Sequence, residues 1–330
     1  IVRQLLRSAE CGASVPVPGI DSAPLLPAGP WGVATDGTPT PPLVFSQRAA
    51  SGDFILIDDV TLTGRRSLLQ RSNVVIDDTL PRHDDPAEFD PFGTEQVYHD
   101  LLYRYVRFAD DDHRAIVAEQ HPRRRLARGI LFCGPYQASY YHWLVEYLSK
   151  LPAIHRLPPK YDDWPLLVCQ EACTHPSLVA AFEQALAPHP RPIELIGKDE
   201  CVEVAQLLVP PHTAWLKTGL TRVHIDAHDI LLAPAALREL STFLALPGRP
   251  SRRFFLARRK NDRLTNQDEM SRLFAAHGFE TLYPEDLDFS TARELFRDTD
   301  LLAGPPGSAF ANLLLCPPGT TAIVLMPDIG

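Results

Sequence analysis

Residues Arg293–Gly319, RELFRDTDLLAGPPGSAFANLLLCPPG, read as a helix, a short apolar strand, a glycine-containing turn and a second apolar helix. A turn of that kind at the carboxyl end of a strand is where α/β proteins hold phosphates. Bare N–H groups and the helix dipole attract anions there, and glycine lets the backbone come close. The plainer alternative is a βα unit of a parallel sheet and nothing more.

The alternation continues on both sides of this segment. Downstream, Thr321–Leu325 reads as a strand. Upstream come a strand at Arg253–Ala257, a helix at Asn266–His277 closed by Gly278, a strand at Phe279–Tyr283 and a helix at Ser290–Arg297. The prolines and glycine of Pro247–Pro250 break the pattern after a helix at Pro234–Leu246. Before that break, strands at Gly129–Cys133, Leu166–Cys169, Ile193–Ile196 and Leu207–Val209 alternate with helices at Tyr140–His155 and Pro176–Ala187. The expected fold is α/β, with two doubly wound Rossmann-type domains over 129–247 and 248–330 facing a cleft. Residues 1–128 form an N-terminal arm and β-rich region. Its Pro-, Gly- and Ala-rich first 50 residues look irregular. Phe54–Leu62 and Val74–Ile76 look β-like, with Gly64-Arg65-Arg66 as a turn between them. The acidic clusters Asp84-Asp85 and Asp110 to Asp112 and the basic run Arg123 to Arg125 read as solvated loops and a surface helix.

Composition excludes several classes. A net charge of −9 argues against a nucleic-acid binder. No run approaches the ~18 apolar residues of a membrane span. The first residues lack the pattern of a signal peptide. The six cysteines are scattered and read as reduced core thiols. Cys169, Cys173 and His175 match no standard zinc spacing. None of the four asparagines begins a glycosylation sequon, which points to the cytoplasm. No G-x-G-x-x-G follows a strand, and Ser308 has no G-x-S-x-G context, so oxidoreductase and hydrolase readings are poor.

Three constellations carry chemistry. In Gly134-Pro135-Tyr136 … Tyr140-Tyr141-His142-Trp143-Leu144-Val145-Glu146, His142 and Glu146 are four apart on one helix face just after a strand end. Such a pair can supply a general base, or it can be the polar edge of an ordinary helix. In Arg258-Arg259-Lys260-Asn261-Asp262-Arg263, followed by Asn266 and Glu269, a strand runs into four cations and a helix start. Arginine suits a phosphate there; Asn266 and Glu269 also fit a capping box. The third is the opening segment, with Gly304, Gly307, Ser308 and Asn312.

Together these segments resemble glycosyltransferase family 61. That family has a Tyr-His-Trp helix with a carboxylate one turn on, then a strand followed by Arg … Arg … Asn-x-x-Glu, then Gly-Pro-His-Gly-Ala/Ser … Asn-Leu … Pro-Pro-Gly. This chain supplies Tyr141-His142-Trp143 and Glu146; Arg258, Arg263, Asn266 and Glu269; Gly304-Pro305 … Gly307-Ser308, Asn312 and Pro317-Pro318-Gly319. Gly278-Phe279 and Tyr283-Pro284-Glu285 also fall into place, and the likeness covers about residues 129–326. The resemblance implies a GT-B, inverting, metal-independent transferase acting in surface polysaccharide synthesis. It needs no cofactor. Its partners are a nucleotide-sugar donor, expected to be a UDP-sugar, and a glycan or glycoconjugate acceptor, with peripheral membrane association allowed. Glu146, or else His142, is the implied base. Arg258 and Arg263 would receive the departing diphosphate. Asn266, Glu269, Gly304, Gly307, Ser308 and Asn312 complete the donor side. A closing helix usual in GT-B folds is not in the sequence, so C-terminal truncation is expected.

Two residues depart from the pattern. Pro306 stands where the family has His, and Val324 where a Glu usually binds the ribose. Each lost polar contact costs about 1–3 kcal/mol. They motivate a rival: a non-catalytic GT-B-like module that binds a glycan or a protein partner. His224 with His228 reads as a polar loop, and Asp286-Leu287-Asp288 as a capping loop that mimics a metal motif.

Overall fold

The computed structural model describes residues 2–6, 12–17, 26–27, 53–64, 69–71, 74–76, 106–108, 114–117, 121–216, 230–259 and 263–325. Arg65-Arg66, Asp84-Asp85, Asp110 to Asp112, Cys11, His224, His228, Lys260, Asn261 and Asp262 lie outside them.

The fold is mixed α/β and carries two runs of parallel strands. In the larger sheet, Ile193–Ile196, Leu166–Cys169, Arg124–Leu131 and Cys201–Val209 lie side by side and parallel. In chain order they are third, second, first and fourth. A mostly antiparallel layer follows, led by Phe54–Thr63 against Cys201–Val209 and extended by Leu69–Arg71, Val74–Ile76, Val2–Leu6, Arg114–Val117 and Val106–Phe108; within it Val2–Leu6 and Val74–Ile76 pair in parallel. The smaller sheet is wholly parallel: Glu280–Leu282, Arg252–Leu256, Thr299–Gly304 and Thr321–Val324, or second, first, third and fourth. A third, three-stranded sheet pairs Ala214–Leu216, Ile230–Leu232 and Leu26–Pro27.

Both parallel orders reverse direction once. The reversal lies between Arg124–Leu131 and Cys201–Val209 in one sheet, and between Arg252–Leu256 and Thr299–Gly304 in the other. At such a point the loops leaving neighbouring strand ends diverge and open a crevice, the usual ligand position of open α/β sheets. The sequence motifs follow those strands.

Burial explains the strands. Leu166–Cys169 is buried along its whole length, as a parallel strand covered on both faces must be. A single apolar cluster then runs through the helices of both sheets, from Phe132, Trp143 and Phe182 through Leu240 and Leu244 to Phe254, Phe296 and Leu315. The helix Pro234–Leu244 sits within it. Polar ties reinforce the packing: Gln184 Nε2 donates to Phe243 O (3.1 Å), Arg293 Nε to Leu244 O (2.6 Å) and Ser241 Oγ to Leu314 O (2.8 Å).

Two expectations change upstream. The basic run is not a surface helix: a strand begins at Arg124, whose guanidinium bonds Glu194, Glu200 and Leu195 O on neighbouring elements. Those carboxylates let an arginine start a central strand. The first 50 residues contain the short strands Val2–Leu6, Ala13–Val15 and Leu26–Pro27. No helix of the described residues is long and apolar enough to cross a membrane.

Candidate active site at the two strand reversals

The strand Arg124–Leu131 delivers the first constellation. The expected single helix over 140–155 is four joined pieces: an α-turn Tyr140–His142, a wide π-turn Trp143–Tyr147, a tight 3-10 turn Leu148–Lys150 and an α-helix Leu151–His155. Pro152 accounts for part of this. It has no N–H to offer the Leu148 carbonyl, which instead takes the N–H of Leu151. Ser149 Oγ also donates to Val145 O (2.5 Å) and meets Thr213 Oγ1, which lies beyond the end of Cys201–Val209. The apolar residues on one side are all buried: Trp143, Leu144, Tyr147, Leu148 and Leu151. Trp143 also donates to Leu178 O at 2.9 Å.

His142 and Glu146 face outward from this element. Nδ1 of His142 lies 2.8 Å from Oε1 of Glu146, and their side chains are 24% and 25% exposed. The pair is therefore reachable yet held. Tyr141 packs edge-on against His142, 5.4 Å between ring centres. Burial, helped by the nearby Glu146 charge, pushes its hydroxyl up to about 12, so it stays a donor at neutral pH.

The smaller sheet delivers the other two constellations to one place. Arg263 Nη1 donates to Pro306 O at 2.8 Å. Arg258 Nη1 lies 2.8 Å from the point where a side chain on Gly307 would begin. The two guanidiniums thus bracket the Pro306-Gly307 backbone. No carboxylate pairs with Arg258 among the described residues, which leaves that cation available to an anion. Gln267 fixes the turn beneath it: its amide accepts from Arg258 N (2.8 Å) and donates to Arg258 O (2.9 Å). Arg259 has other work. It stacks on Tyr283 at 3.9 Å, bonds Asp286 through Nε (2.7 Å) and offers its N–H to Glu285 (2.5 Å). Asp288 caps the helix Phe289–Phe296 through Thr291 N (2.7 Å). Both carboxylates of Asp286-Leu287-Asp288 therefore have partners already.

Asn312 joins the two sheets' motifs. It is 2% exposed; its Oδ1 accepts from Tyr140 Oη (2.8 Å) and its Nδ2 donates to Ala309 O (2.9 Å). By taking the carbonyl three residues back it favours a tight coil, and Ser308–Leu315 is a 3-10 helix, not the expected α-helix. Ser308 opens that helix, half-buried. Gly304 is buried at the end of the strand Thr299–Gly304, paired with Val324 and close against Leu256. Asn266 and Glu269 are exposed and meet each other at 3.4 Å; the capping box does not form, because Asn266 makes no side-chain bond to a helix N–H. His175 caps Pro176–Leu186 by accepting from Ser177 N at 3.3 Å.

Sequence reasoning did not assign Gln267 or Tyr136. The signal for Gln267 was weak: a side-chain amide opening a helix after an arginine turn. Tyr136 was named in its motif without a role, although Gly-Pro-Tyr at a strand end is a turn that exposes its third residue.

No curated protein matches the chain significantly. The glycosyltransferase 61 family model matches residues 140–323, more than half of the sequence. That match starts on the tyrosine that bonds Asn312 and runs through the Arg258 turn and the glycine turn it meets: the chain belongs to glycosyltransferase family 61.

Proposed function

We propose that the chain is an inverting, metal-independent glycosyltransferase of the GT-B type. It moves a sugar from a nucleotide-sugar, a UDP-sugar in the first instance, to a glycan or glycoconjugate acceptor in surface polysaccharide synthesis. The observation that carries the reading is the 2.8 Å contact between His142 and Glu146, partly exposed at a strand reversal. The Glu146 carboxylate takes the proton of the acceptor hydroxyl. The freed oxygen pair attacks the anomeric carbon from the face opposite the leaving group, and the bond from that carbon to the phosphate oxygen breaks. The diphosphate leaves with the bonding pair and is received by Arg258, Arg263 and the N–H groups that open the Ser308–Leu315 helix. His142 holds the carboxylate in position through Nδ1. Asn266 and Glu269, three and six residues after Arg263, are the remaining polar groups offered to the donor.

Glu146→Gln tests the base. Turnover is expected to fall about 10²–10⁴-fold, the usual share of a positioned base, while UDP affinity by calorimetry stays within about twofold, well under a kcal/mol. Surviving turnover sinks the assignment. Pro306 favours the second reading, a binding module, since it offers the site only a carbonyl and that carbonyl is taken by Arg263. If the folded protein binds no nucleoside diphosphate saturably, that module replaces the transferase.

A further inference from the structure

One exposed ring beside the His142–Glu146 pair has no part in the chemistry above. Among the described residues, Asp59 and Tyr136 are the non-glycine residues with positive φ, and Tyr136 has φ 59°. Glycine takes that conformation freely; a bulky aromatic residue does so at a cost, and such outliers point to use. The ring does not repay the cost by burial, since Tyr136 is 42% exposed.

The turn that carries it is clamped. Tyr147 Oη donates to Pro135 O (2.7 Å), and Ser139 N to Tyr136 O (2.8 Å). Gln137, 2% exposed, bonds Phe132 O and accepts from Cys169 N (2.9 Å). Gly134 lies so close to Tyr147 Oη that no side chain fits there. On this mount one face of the Tyr136 ring stacks on His142, 4.8 Å between centres and 26° from parallel. His142 in turn holds Glu146. The ring stands one imidazole away from the carboxylate.

We infer that Tyr136 is an acceptor-binding residue, a platform for the apolar C–H face of a pyranose whose hydroxyl meets Glu146. The inference rests on the glycosyl-transfer reading above and deepens it. A pyranose has an apolar face and a rim of hydroxyls, and an aromatic ring with a polar tip matches both. The groups that would hold the donor's phosphates, Arg258, Arg263 and Gly307, stand at the end of the other sheet. That placement favours a sugar over the donor's nucleobase on this ring.

Saturation-transfer NMR with methyl glucopyranoside, methyl galactopyranoside and methyl xylopyranoside as probes tests this, with UDP calorimetry alongside. At least one probe is expected to receive saturation at its ring C–H protons. Tyr136→Phe should keep the signal. Tyr136→Ala should lose it, with binding about tenfold weaker, and UDP affinity should not change. Tyr136→Gly removes the ring and relieves the backbone, so it should lose the signal without losing melting temperature. UDP binding with no Tyr136-dependent transfer to any probe would refute the platform and leave the transferase reading standing. Transfer to a probe without UDP binding would support the platform and refute the donor half. A drop in UDP affinity in Tyr136→Ala would put the nucleobase on the ring and overturn the proposal, as would a melting temperature several degrees lower in Tyr136→Gly.

Discussion

Gly304 and Gly307 stand in one turn and do different work. A side chain on Gly304 would start 2.8 Å from Leu256 O and 3.0 Å from Leu256 Cβ, inside a paired strand that cannot yield. Gly304→Ala is expected to cost about 1–3 kcal/mol as an overpacked core does, read as a lowered melting temperature. At Gly307 the obstacle is Arg258 Nη1, the end of a flexible side chain. Gly307→Ala should melt with the parent protein but displace the guanidinium, weakening UDP binding about tenfold. If Gly307→Ala binds UDP normally, Arg258 does not hold the diphosphate. Both glycines were legible in the sequence as a close-approach turn. Which one packs against a strand and which against a guanidinium was not, because the deciding neighbours are Leu256 and Arg258, about 50 residues away in the chain. The same holds for Arg258 and Arg259. They are adjacent and chemically alike, and only Tyr283, Glu285 and Asp286 single out Arg259 as a brace.

At the scale of elements, two of the segments that carry the family motifs depart from plain α-helix. Apolar spacing located the Tyr140–His155 element and its buried side. It did not disclose the wide turn at Trp143–Tyr147, which depends on Pro152 downstream and on Thr213 from another strand end. The tight coil at Ser308–Leu315 depends likewise on Asn312 and its partner Tyr140. Tyr140→Phe leaves Asn312 Oδ1 buried without that donor, so a loss of about 1–3 kcal/mol is expected in denaturant unfolding. A double-mutant cycle with Asn312→Ala should show a coupling above about 0.5 kcal/mol. Strict additivity would mean the bond does not tie the two elements.

Across the whole molecule, stability should fall below neutral pH, and one buried group gives a reason. His155 packs between His189 (5.1 Å) and Phe243 (5.3 Å), and neither ring nitrogen finds a hydrogen-bond partner among the described residues. Burial, with nearby cations adding to it, pulls its folded-state value from 6.5 down to about 4. Between those values the unfolded chain binds the proton and the folded one does not, so stability rises with pH through that window and is flat below it. On the order of 1 to 2 kcal/mol should be lost between pH 7 and pH 5, after discounting for partial exposure. His155→Leu should flatten that slope; an unchanged slope assigns the pH dependence to other groups. Since Phe243 belongs to the Pro234–Leu244 helix, acid loosening at His155 would be felt by the core that links both sheets.

The sequence by itself determined the alternation of strands and helices, the three constellations and their order, and through them the family. Those are local matters: period, turn chemistry and short spacings between residues that act together. Strand order was beyond it. The reversals that place the His142–Glu146 pair at one sheet end, and gather Arg258 with Gly307 at the other, follow from which strands pair. That is decided by burial across the whole chain, not by any segment. The tertiary structure alone also set the braced Arg259 apart from its neighbour Arg258, since a side chain's freedom depends on neighbours far away in sequence. It did the same for Tyr136, an ordinary turn residue in the sequence, whose strained and exposed ring stands over His142.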